Sequence, residues 1–164
     1  MINVALRIYK DGDWKYVDGS LKYKIIDCIG LILIAAKFYF DRKTFRKTYN
    51  IGTGTNSALT NNTNGLKRNW KDNIEDLKVG TILYCDSLTG TEHGHVGIYI
   101  GYYDDGTGHP IEHAVIHCHG GKGEVKAGIS IESIYGSRFD DGKGEYAEYN
   151  YLDYDLTYED TRKV

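Results

Sequence analysis

"HVGIYIGYYDDGTGHPIEHAVIHCH", residues 95–119, holds two runs that alternate along their length, joined by an Asp- and Gly-rich turn. In the first, His95, Gly97, Tyr99 and Gly101 fall on one side and Val96, Ile98 and Ile100 on the other. In the second, His113, Val115, His117 and His119 oppose Ala114, Ile116 and Cys118. A period of two belongs to a β-strand, and the turn predicts that the runs pair antiparallel. His95 then stands beside a histidine of the next strand, on a side that its glycines leave open to close approach.

Working outward, "TILYCD" (81–86), "EVKAGISIE" (124–132) and "EYAEYNYLDYDL" (145–156) have the same period, giving five strands in all. The acidic, tyrosine-rich tail from Phe139 to Asp160 reads as a solvated outer strand. Helical signals lie earlier. "INVALRIYK" (2–10) is stopped by the turn "DGD", and "LKRNWKDNIED" (66–76) predicts a second short helix. "WKYVDGS" (14–20) reads as an extended piece with a turn. The run from Cys28 to Phe40 is apolar almost all round, as a buried central helix would be, with Asp27 in the N-cap position.

Residues 41–65, rich in Thr, Asn and Gly, read as a long surface excursion. Its "GTGT" has neither the preceding strand nor the following "GK" of a phosphate loop. Helices first and a meander after predict a single α+β domain over residues 1–164.

The totals narrow the function classes. A formal net charge of −3 supplies no basic field for nucleic acid. Three widely spaced cysteines without a CxxC fit neither a disulfide scaffold nor a zinc ribbon, so at least one thiol is expected to be free. The first residues lack a signal-peptide core, and "IGLILIAA" falls short of a membrane span. The chain is expected to be cytoplasmic at synthesis, with no membrane insertion.

Two residue sets suggest chemistry. A helix N-terminus favours the thiolate, the attacking form of cysteine, and Cys28 has that place. An isolated cysteine there would more commonly be inert core, so a base is required. Histidines at 93, 95, 109, 113, 117 and 119 cluster in the strand-rich part. Cys28 as nucleophile, His95 as base and His117 as the group that orients the base make the general constellation of acyl transfer. In the rival reading, "HGH" (93–95) and "HCH" (117–119) hold zinc or another transition metal, as in a metal-dependent amidase, which leaves Asp27 and Cys28 unexplained.

Four segments, "YVDGS" (16–20), "DCIGLI" (27–32), "LKVGTILYC" (77–85) and "GHVGIYIG" (94–101) followed by "VIHC" (115–118), stand in the order of the NlpC/P60 cell-wall cysteine peptidases, which the chain resembles. The resemblance implies a papain-like α+β fold, with the Cys helix packed on a five-stranded antiparallel sheet. It implies Cys28 as nucleophile, His95 as base and His117 as the third polar residue, with no metal and no cofactor. Tyr16 matches the tyrosine that lines the cleft, and Asp27 the carboxylate that positions the Cys loop or meets an amine of the substrate. Ile29 stands where the family usually has Ser, and Asp18-Gly19 where it often has two glycines; both bear on peptide specificity.

The implied partners are peptidoglycan stem peptides or cross-bridges. A bacteriophage or prophage endolysin, a tail-associated hydrolase or a secreted effector would carry such an enzyme from the cytoplasm to the cell wall. A catalytically inactive wall-binding or virion structural module of the same fold is the alternative.

Overall fold

The computed structural model describes residues 1–35, 66–67, 69–85, 95–121, 127–140 and 144–147. The excursion at 41–65, His93, the helix beyond 35 and the last strand beyond 147 lie outside the described residues. Helix α1 (Ile2–Asp11) buries Ile2, Ala5, Leu6 and Ile8, a stripe at helical spacing. It ends where Gly12 turns left-handed at φ 72° and donates its N–H to Tyr9 O. Three short strands follow: β1 (Lys15–Tyr16), β2 (Leu21–Lys22) and β3 (Ile25–Ile26). Helix α2 (Cys28–Ala35) comes next, and all its residues are buried.

Beyond it lie β4 (Leu66–Lys67), a 3-10 helix (Trp70–Asp76), β5 (Ile82–Cys85), β6 (His95–Tyr103), β7 (Ile111–His119), β8 (Gly128–Ser133) and β9 (Glu145–Ala147).

The α+β expectation holds, with helices towards the N-terminus and an antiparallel sheet after them, but the strands are not gathered into one five-stranded sheet. The described residues form two sheets. The small one runs β1-β3-β2, with β1 parallel and β2 antiparallel to β3. The large one has six strands in the order β4-β9-β5-β6-β7-β8, of which β5 to β8 form the broad part. The extra strand is the start of the segment predicted as a helix over 66–76. Leu66 and Lys67 pair with β9, whose outer edge would otherwise leave backbone groups unpaired, and only Trp70–Asp76 coils. That coil is a 3-10 helix broken by non-helical angles at Asn73, with Asn69 left-handed before it.

The alternation in β6 and β7 becomes two distinct cores. Ile82, Tyr84, Val96, Ile98, Ile100, Ala114, Ile116 and Cys118 pack with α1 and α2 on one side of the large sheet. Leu83, Cys85, Tyr99 and Val115 pack on the other with Trp70, Leu77, Ile134 and Phe139. The open side of Gly97 is therefore filled by Phe139 rather than by α2. A Cβ at Gly97 would stand 2.7 Å from Phe139 Cζ and 2.7 Å from Val115 Cγ2, closer than packed carbons come.

The loop that carries Phe139 is bonded to itself and to its neighbours. Ser137 Oγ donates to Ile134 O at 2.8 Å, Gly136 N–H donates to Asp140 Oδ2 at 3.0 Å, and Lys71 pairs with Asp140.

Candidate active site

Tyr16, Asp27 and Cys28 are assembled by the small sheet and the start of α2. The register places Tyr16 against Ile26, so the strand that leads into Asp27 is tied directly to the strand that carries Tyr16. Asp27 caps the helix as its position predicts. Its Oδ1 accepts the Gly30 N–H at 2.8 Å, and its main-chain O accepts Leu31 N–H at 3.3 Å. Gly30 is required here, since a Cβ on it would come 2.9 Å from Ile26 Cβ and 3.1 Å from Asp27 Oδ1.

Cys28 follows the cap, buried within the α1–α2 core. Burial, then the nearby Cys28, Asp18, Asp27 and Cys118, hold the Tyr16 hydroxyl well above its ordinary 10.0, so it stays a neutral O–H donor. Cys118 belongs to the same group: its thiol donates to Ile26 O at 3.8 Å. Burial first, then Cys28 and Asp27, push that thiol up to about 12, which makes it a protonated structural cysteine.

The histidines lie across the sheet. His95 Nε2 and His117 Nδ1 are 2.8 Å apart, with the rings edge to face at 82°. Both are buried, and His117 is 0% exposed. Phe139 walls the pair, its ring 5.6 Å from that of His95 and 5.3 Å from that of His117. Glu132 Oε1 stands 3.2 Å from His117 Nε2, an approach too oblique for a regular hydrogen bond.

Of the other described histidines, His119 stacks on His117 but spends its own nitrogens on Gly120 O and Ser130 Oγ. His113 meets Tyr99 Oη through Nδ1 at 2.9 Å. His109 is exposed in the turn before β7. The structure thus selects His117, rather than His113 or His119, as the partner of His95.

These two groups share one end of β7. Cys118 reaches the residue before Asp27 on one face, while its neighbours His117 and His119 turn to the other. Tyr16, Asp27 and Cys28 are brought together on the helix side, and His95 and His117 on the Phe139 side. Among the described residues no group of three His, Cys, Asp or Glu is placed to hold a metal ion.

Sequence reasoning missed Glu132, Ser130 and Phe139. For the first two a signal existed: they alternate on β8, whose antiparallel register sets Ser130 opposite His117 and Glu132 opposite Val115. Glu132 is then the diagonal neighbour of His117 on one face. Phe139 follows the strand in a loop with no period to mark it.

The electrostatics of the pair give a pH dependence. Desolvation first, then His117, Arg138 and His119, put His95 well below its ordinary 6.5. His117 is lowered too, chiefly by burial, against an upward pull from Glu132. The unfolded chain therefore binds protons near pH 6.5 that the folded chain refuses, so stability is full above that pH and falls as pH drops through it. A lower melting temperature at pH 5.5 than at pH 7.5 is expected, with a smaller drop in His95→Gln. Equal drops in the two proteins would refute this assignment.

No helix among the described residues is long and apolar enough to cross a membrane. No protein-family model matches the chain, and none of the curated proteins matches it.

Proposed function

We propose that the protein is a cysteine peptidase of the NlpC/P60 kind, with a papain-like fold, that hydrolyses an amide bond in peptidoglycan stem peptides or cross-bridges. One observation carries the reading: the buried His95–His117 hydrogen bond joins the two histidines the resemblance singles out, at the same end of the sheet as the capped Cys28. The Cys28 Sγ attacks the amide carbonyl, and His95 takes the thiol proton and returns it to the leaving amine. His117 holds the imidazole of His95 in place. Tyr16, as a neutral hydroxyl, and the backbone N–H of Cys28 donate to the oxyanion.

Thiol and imidazole must come within reach of one carbonyl when substrate is bound. The reading places the protein with phage-lysis, tail-delivered or secreted wall hydrolases.

A second reading is favoured by the burial of Cys28 in the α1–α2 core while His95 and His117 pack against Phe139: a wall-binding or virion structural module that keeps the fold without cutting. The test is mass spectrometry of fragments released from purified peptidoglycans by the wild-type protein and by Cys28→Ala. New stem-peptide or cross-bridge fragments that vanish in the variant support the peptidase and identify its bond. Binding to the walls without release, by both proteins, supports the module.

A further inference from the structure

The chain of contacts does not stop at His117. We propose that Glu132 is a positioning residue that fixes the proton of His117 on Nε2 and, through it, the proton of His95 on Nε2, which leaves His95 Nδ1 as the lone pair. The use of that lone pair as the base for Cys28 rests on the peptidase reading; the orienting chain itself rests on contacts within the sheet.

The argument is one of donors and acceptors. His95 Nε2 and His117 Nδ1, 2.8 Å apart, need one proton between them. If it sat on His117 Nδ1, the lone pair of a neutral His117 would lie on Nε2, facing the Glu132 carboxylate at 3.2 Å. Two acceptors would then oppose each other beside a ring that water does not reach. The other arrangement satisfies the first contact and turns a donor rather than a lone pair toward the second: His95 Nε2–H donates to His117 Nδ1, and His117 Nε2–H lies obliquely beside the Glu132 carboxylate at 3.2 Å.

Neighbours do not compete for these positions. His119 Nδ1 must donate to Gly120 O, a carbonyl, so its Nε2 accepts the Ser130 hydroxyl, and both groups are satisfied. Arg138 adds a positive charge beside Glu132, His117 and His95, which balances the carboxylate and discourages an imidazolium. Glu132 is half-buried at the open side of β8, so a carboxylate there keeps some solvent while it holds a fully buried ring.

Long-range proton–nitrogen NMR of the full chain labelled with 15N, at pH 7.5, reads the tautomers directly. His95, His117 and His119 signals are assigned by single His→Gln variants. The expected wild-type pattern is Nε2–H for His95 and His117 and Nδ1–H for His119. In Glu132→Ala the single-tautomer pattern of His117 and His95 is lost while that of His119 persists. Glu132→Gln restores it, because the amide oxygen accepts the same N–H.

An Nδ1–H tautomer at His117 in the wild type, or an unchanged pattern in Glu132→Ala, overturns the proposal, and the wild-type result holds even where a variant does not fold. Absence of peptidoglycan cleavage would overturn the peptidase reading alone, since the nitrogen spectrum needs no substrate.

Discussion

Phe139→Ala is expected to destabilise the fold by about 3–5 kcal/mol, the usual cost of truncating a buried phenylalanine. In a chain of this length that corresponds to a fall in melting temperature of roughly 6–20 °C. The size follows from where the ring sits. Phe139 is completely buried, fills the space over Gly97, and walls both His95 and His117. Its loop is braced by the Ser137 and Asp140 bonds and by the Lys71 pair, so the surroundings cannot simply collapse into the cavity. A shift of only a degree or two would mean that the loop repacks, and that the histidine pair does not depend on this ring.

His95→Ala is expected to slow fragment release by about 10²–10⁴-fold, the range associated with losing a general base. It also leaves His117 Nδ1 buried without its imidazole partner, so thermal melting must accompany the assay to separate lost chemistry from lost structure. The discriminating companion is alkylation of Cys28 by iodoacetamide near neutral pH. If His95 bears on the thiol, Cys28 reacts faster than Cys85 and Cys118 in the wild type and loses that advantage in His95→Ala. An unchanged alkylation rate, together with unchanged release, would remove His95 from the mechanism. That outcome would agree with its place on the far side of the sheet.

Much of the fold is written in local patterns. Strands β6 and β7 coincide with the alternating runs at 95–103 and 111–119, because each has apolar residues on one face and a clear turn between them. Helix α1 exceeds its predicted span by one residue, since the DGD turn supplies the left-handed glycine that stops it. The cap by Asp27 was equally legible. The small sheet was not, because strands of two residues are too short to show a period. Nor was β4, a strand only by virtue of the distant β9 edge it pairs with.

The side of the sheet that α2 covers is the instructive case. Alternation in β6 defines two faces but does not assign helices to them. The glycine-bearing face invites an approaching element, yet the branched face of Val96, Ile98 and Ile100 offers more apolar area to an all-apolar helix, and burial of that area decides. Phe139, thirty-six residues beyond the end of β6, takes the vacant glycine side.

The all-round burial of α2 also bears on how the protein is made. Residues 1–35 leave the ribosome before the large sheet, and the small-sheet pairing and the Asp27 cap form among those residues. Part of the cover for α2 comes much later, from β6 and β7. During that interval the nascent chain carries a sticky apolar segment next to its cysteine, the kind of exposed surface that promotes aggregation and engages chaperones. Synthesis of the histidine strands therefore both supplies the second half of the candidate site and buries the first.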